Sequence, residues 1–122
     1  MSKPQVINVE SKLGQFNDHW NPRIIGELNG QQVKVAKLLG VFDMHKHEYE
    51  DELFYVIKGT LHILLKDEKL ELNPGEFVII PKGTLHQPIA YSEVEILLFE
   101  PASTLNTGNI ISSHTKQDLE KI

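Results

Sequence analysis

The sequence predicts an all-β fold, a jelly-roll barrel of two packed sheets with short irregular extensions at both ends. Three observations carry that prediction. Short runs rich in Val, Ile, Leu and Phe recur from residue 23 to residue 100. Turn signals built from Gly, Pro, Asn and Asp separate them about every 8–12 residues. No segment keeps a helical period long enough for a packed helix.

Residues 1–20 are mixed. Val6, Ile7 and Val9 suit a short strand. Leu13, Phe16 and Trp20 stand at helical spacing and predict a helical turn or loop that lays all three side chains on the barrel, in preference to a ligand-binding aromatic patch. Ile24 to Leu38 reads as a hairpin around Asn29-Gly30, because that pair supplies the positive φ angles of a two-residue turn. Within it, Val33 and Val35 alternate with Lys34, Ala36 and Lys37, the pattern of a half-buried strand. Further strands are predicted at 52–58, 61–66, 69–72, 76–80, 85–90 and 94–100. After Pro101 the chain turns polar, with a turn at Asn106-Thr107-Gly108-Asn109 and a short helix or loose end over 116–122. The expectation is one domain over residues 1–122, with the barrel at 23–100 and an extension at 101–122.

Composition narrows the function. With 122 residues a single core can stand without cross-links. There is no cysteine, which removes disulfides, thiolate zinc sites and iron–sulfur clusters, so any metal must bind through nitrogen and oxygen. The net charge of −5 disfavours a nucleic-acid backbone as partner. No apolar run approaches the ~18 residues of a membrane-spanning helix. The first residues lack the apolar stretch of a secretion signal. The expectation is a soluble, cytoplasmic protein.

His45-Lys46-His47 followed by Glu52 is the segment that carries chemistry. Residues two apart on an extended chain project to one side, so both imidazoles can converge on one ion. A turn over Tyr49 to Asp51 brings the chain back with Glu52 at the start of the next strand. The second segment runs Gly75, Pro81-Lys82-Gly83, His86 and offers a third imidazole from across the barrel. Three imidazoles and a carboxylate suit a divalent transition metal: Mn(II), Fe(II), Co(II), Ni(II), Cu(II) or Zn(II). Four protein ligands leave a coordination position open for a small molecule. Asp51 competes with Glu52, but Glu52 keeps six residues before Gly59. Lys46 should turn outward between its two histidines. Glu76 has the chemistry of a general acid or base but no assigned role. His62 reads as a wall or surface residue, and His19 and His114 as surface residues. Phe42, Met44, Phe54 and Phe77 read as core or pocket wall.

These two segments resemble the two motifs of the cupin superfamily. The first appears as Gly40, His45-Lys46-His47, Glu52, Gly59, and the second as Gly75, Pro81-Lys82-Gly83, His86, Ala90. Gly40 stands four intervening residues before His45 where the family pattern has five, and Ala90 stands where it usually has Asn. The chain looks like the small cupins labelled mannose-6-phosphate-isomerase-like. The resemblance implies a jelly-roll (double-stranded β-helix) barrel and a metal on His45, His47, Glu52 and His86. It also implies a small polar substrate or ligand and a homodimer. Metal-dependent isomerase and dioxygenase chemistry both occur in the superfamily; the alternative is a non-catalytic sugar- or anion-binding module.

Overall fold

A computed structural model describes residues 3–122. Among these described residues, seven strands and one short helix follow in the order α1 (Val9–Leu13), β1 (Arg23–Leu28), β2 (Gln31–Val41), β3 (Glu52–Lys58), β4 (Leu61–Leu64), β5 (Lys69–Leu72), β6 (Phe77–Ile80) and β7 (Gln87–Pro101). All strand pairs are antiparallel. One sheet runs β1-β2-β7-β3-β6, and β4 pairs with both β5 and β7. The Asn29-Gly30 turn has φ of 50° and 78°, as a hairpin turn of this type requires.

The expected two sheets are one continuous seven-stranded sheet, because β7 pairs with β2, β3 and β4 alike. Gln87 to Ile89 pair with β4, Ile89 to Pro101 with β2, and Glu95 to Phe99 with β3. The sequence predicts two strands here, with a break near Tyr91 to Glu93. The strand is continuous through that stretch, since its polar residues face solvent while the backbone keeps its direction. The main core lies inside the curl of this sheet and draws on Ala36, Leu38, Phe54, Val56, Leu61, Ile63, Leu72, Ile80, Val94 and Ile96.

β2 is buried on both faces, which its alternation does not announce. Lys34, Ala36 and Leu38 face the barrel interior. Val35 faces outward and packs with Leu13 and Phe16, which follow from α1 and the turn after it. The expected polarity of the strand is therefore reversed: a lysine lies inside. Lys37, on the outer face, is buried too and donates from Nζ to the Phe16 carbonyl oxygen at 2.8 Å. Its stem covers apolar surface while its charge finds a backbone acceptor.

α1 starts at Asn8, whose side chain accepts from Ser11 N at 2.8 Å. Leu13 and Phe16 are buried as expected, but Val6 and Ile7 form no strand and are exposed. No sheet edge is paired with them. The end of the chain is neither helix nor loose. Ile24 N donates to Glu120 O and Ile122 N to Ile24 O, tying residues 120–122 along β1. Leu13 is 1% exposed. Leu13→Ala is expected to lower unfolding free energy by about 2–4 kcal/mol in urea titration, the usual range for emptying a closed apolar site. A loss under about 1 kcal/mol would mean that α1 does not cover the sheet in solution.

Candidate metal centre

The four predicted ligands arrive from three places. After β2 the chain joins no strand until His45, which forms an isolated bridge with His86. The bridge is reciprocal: His45 N donates to His86 O at 3.0 Å and His86 N to His45 O at 2.8 Å. Gly83 N donates to His47 O at 2.7 Å, and Lys82 N to Asp51 Oδ1 at 2.8 Å. The backbone thus stitches the two motif segments together. Glu52 opens β3 opposite Ile80. The spacing toward Gly59 has a steric reason: its φ is 86°, and a Cβ there would stand 2.7 Å from the Glu93 carbonyl oxygen.

The side chains converge. One ligand atom from each of His45, His47, Glu52 and His86 lies within 4.8 Å of every other, and none of the four residues is more than 4% exposed. Two ring tautomers are fixed by partners that can only accept. His45 Nδ1–H donates to Asp43 O at 2.8 Å, and His86 Nδ1–H to Thr84 O at 2.9 Å. Each ring is thereby left with an Nε2 lone pair, as an outer hydrogen bond leaves it in metal-binding histidines. His47 Nε2 and His86 Nε2 both lie 3.3 Å from Glu52 Oε1, yet none of these three buried atoms has a partner in hydrogen-bond geometry. Buried polar atoms without partners are costly and rare. A lone-pair cluster of this kind fits a cation in its midst, so the residues present suit a divalent metal of the nitrogen- and oxygen-loving class.

Electrostatics agree. Burial, aided by the nearby His86, lowers the His45 pKa to about 4. Burial alone would raise the Glu52 carboxyl, but the facing His47 and His86 outweigh it and hold the group well below the carboxylate range. A neutral His45 ring and an ionised Glu52 carboxylate are the protonation states that metal binding needs of these two groups. In metal-free protein the His45 ring is expected to titrate near pH 4 by NMR, against about 6.5 for a free histidine. Between those values the unfolded chain takes up a proton there that the folded chain refuses, so this residue costs stability as pH falls through 6.5 toward 4. A midpoint near 6.5 would refute the buried neutral ring.

A narrow cavity of about 40 Å³ adjoins His45 and Glu52. Room for roughly three waters follows from about 10–15 Å³ each. Its walls are mostly apolar: Trp20, Leu38, Phe42, Phe54, Ile96 and Leu98. Trp20 and Phe42 stack at 4.6 Å. Trp20 thus serves the cavity, where the sequence suggests only packing on the barrel. Lys34 and Glu100 also line the cavity, each 2% exposed and 3.6 Å apart. Burial and the neighbouring Glu52 carboxylate push the Glu100 carboxyl well up, with Lys34 pulling the other way. Sequence reasoning missed this pair. The available signal is a lysine and a glutamate each on the inward phase of a strand, which shows only once the barrel side of β2 is known.

The extension after β7 closes over the first motif. Lys46 N donates to Asn109 Oδ1 and Asn109 N to Lys46 O, both at 3.0 Å. Gly108 lies directly on the Lys46 carbonyl and the His45 ring. His114, expected at the surface, is half-buried: it stacks on Phe42 at 5.0 Å and faces Asp43 Oδ2 at 3.2 Å, which also accepts from Ser112 Oγ at 2.6 Å. The remaining candidates fall away from the centre. Asp51 binds the Lys82 amide and Glu76 the Asn73 amide. Lys46 turns outward to Glu48, His62 lies against Glu71, and His19 pairs with Glu93 at 2.7 Å.

Comparison with known proteins accords with this geometry. The protein YdbB of Bacillus subtilis is 41% identical over 68 residues, 55% of this chain and 60% of that protein. Quercetin 2,3-dioxygenase of Bacillus subtilis is 38% identical over 42 residues, 34% of this chain and 12% of that enzyme. The chain spans 60% or less of the curated relatives it matches. A crystal structure of a cupin-2 domain containing protein from Shewanella frigidimarina superposes with a TM-score of 0.78 at 45% identity, covering 79% of this chain and 94% of that one. Residues 33–100 match the Cupin domain family (Cupin_2), and with both motifs and a buried His-His-Glu-His group in place, the chain belongs to the cupin family.

Proposed function

We propose that this protein binds one divalent transition metal through His45, His47, Glu52 and His86, and receives a small oxygen-bearing molecule at the coordination position left open. The observation that carries the reading is the convergence of four buried ligand atoms, three of which lack hydrogen-bond partners. Zn, Mn, Fe, Ni and Co all suit the donor set. When bound, such an ion supplies Lewis-acid polarisation of a carbonyl or enolate oxygen. The protein's own part is to fix the ligand rings through Asp43 O and Thr84 O, to exclude water with Trp20, Phe42 and Phe54, and to orient the guest. Apolar walls favour a compact guest with a hydrocarbon body over a phosphosugar. The similarity to part of quercetin 2,3-dioxygenase supports oxygen chemistry ahead of sugar isomerisation. The same reading takes residues 1–122 as one unit, with 101–122 belonging to the site. It also includes pairing of two copies through edge strand β6, where Phe77 and Ile79 are exposed.

The test is metal content, by mass spectrometry, of protein purified without added metal. About one equivalent in the parent and almost none in His45→Ala/His86→Ala is expected, as four-ligand sites give. A parent that takes up none of these ions, even when loaded with each in turn, would overturn the reading.

A further inference from the structure

The buried pair Lys34 and Glu100 has no structural reason to sit inside the barrel. Both are 2% exposed, and they reach across from neighbouring strands, β2 and β7, onto the cavity wall shared with His45 and Glu52. Burying two charges costs several kcal/mol per ion unless close hydrogen bonds offset it. Here they do not: the Lys34 Nζ to Glu100 Oε1 distance is 3.6 Å, beyond hydrogen-bond range, and Glu100 Oε2 is buried without a partner. Ala36 and Leu38, the next inward residues of β2, show that this face accepts apolar side chains. An ammonium offers three donors. Donors held loosely on a cavity wall suit a guest that arrives with acceptors.

We propose that Lys34, steadied by Glu100, anchors an anionic oxygen of the guest, so that the ligand is a compact hydroxy- or oxo-carboxylate reaching the metal at one end and Lys34 at the other. The proposal rests on the metal reading above. Charge selects the class. With Glu52 on a divalent ion and Lys34 on the wall, the cavity carries net positive charge whether or not Glu100 holds a proton. A carboxylate offsets part of that charge with a small, flat group, which a cavity of about 40 Å³ takes more readily than a phosphomonoester. The walls fix the rest: Trp20, Phe42, Phe54 and Leu98 leave space for a short hydrocarbon body and supply it with no hydroxyl partners. A charge-assisted hydrogen bond from Lys34 would set both orientation and selectivity.

The experiment uses full-length protein loaded with Ni(II) and isothermal titration with two probes of the same carbon skeleton, 3-hydroxybutyrate and the neutral 1,3-butanediol. Metal content is measured in every sample. The Lys34→Met variant is expected to hold as much nickel as the parent but to bind 3-hydroxybutyrate about 10-fold or more weakly, as loss of a hydrogen bond to a charged group implies, with affinity for the diol nearly unchanged. Equal 3-hydroxybutyrate affinity in parent and variant, or no binding by a nickel-loaded parent, overturns the Lys34 anchor and leaves the metal site standing. A parent that holds no nickel overturns the metal reading and the anchor with it. If Lys34→Met leaves Glu100 unpaired and does not fold, Lys34→Met/Glu100→Leu replaces it, with the same outcomes expected.

Discussion

His86→Ala is expected to weaken metal affinity by more than about 100-fold while leaving the barrel folded. Outer partners of metal ligands are themselves worth about 10–100-fold, so a ligand lost outright should exceed that. The fold should survive for a reason visible in the bridge to His45: both of its hydrogen bonds are made by main-chain atoms, which alanine keeps. What vanishes is a fully buried imidazole whose Nε2 faces Glu52. Competition against a chromophoric chelator measures the affinity, and circular dichroism checks the fold. His62→Ala is the control, since His62 lies outside the group of four. Parental affinity in His86→Ala, or an equal loss in His62→Ala, would sink the assignment of His86.

The second large effect is expected from a residue with no side chain. Gly108 has a φ of 57°, and a Cβ there would overlap the Lys46 carbonyl oxygen and stand 3.0 Å from His45 Cδ2. Neither neighbour can move away cheaply. The Lys46 carbonyl already accepts from Asn109 N, and His45 is held by its bridge and its ring hydrogen bond. Gly108→Ala is therefore expected to lower unfolding free energy by about 2–4 kcal/mol, a steric clash added to left-handed strain. It should also weaken metal affinity by about 10-fold, the lower end for a residue that positions a ligand. Gly30→Ala makes the comparison: its φ is 78° but its surroundings are open, so it should lose only about 1–2 kcal/mol and leave metal affinity unchanged. Identical behaviour of the two variants in thermal melts and metal titrations would show that the extension does not press on the first motif.

Local signals in this sequence were strong wherever the chain reverses. Asn29-Gly30 placed its hairpin to the residue, and β3 and β5 have the predicted ends, because each strand is bounded by residues with fixed turn preferences. The four candidate ligands were legible for a related reason. Two of them alternate on one extended segment, and the turns around Glu52 and His86 restrict where those side chains can point. The inward position of Lys34 is not legible, because alternation gives the two faces of a strand but not which one is the interior. Val35 is as apolar as any core residue, yet its partner is α1. The contribution of the extension was hidden for another reason. Contacts from Asn109 to Lys46 and from His114 to Phe42 join positions more than sixty residues apart, and no periodicity encodes them.

The continuity of β7 has a consequence for how the molecule comes together. β2, β3 and β4 pair with β7 more than with one another, so the two halves of the barrel have no common scaffold until the last strand is in place. During synthesis all four candidate ligands leave the ribosome before β7, the strand that gathers the others. Pairings over such long sequence separations pay their loop-closure entropy before any contact rewards it, which makes assembly slow and late. Until then His45, His47, Glu52 and His86 belong to a nascent chain whose strands β2, β3 and β4 have no common partner. An ion that suits these four residues would thus meet a complete site only at the close of folding, from whatever the compartment offers at that moment.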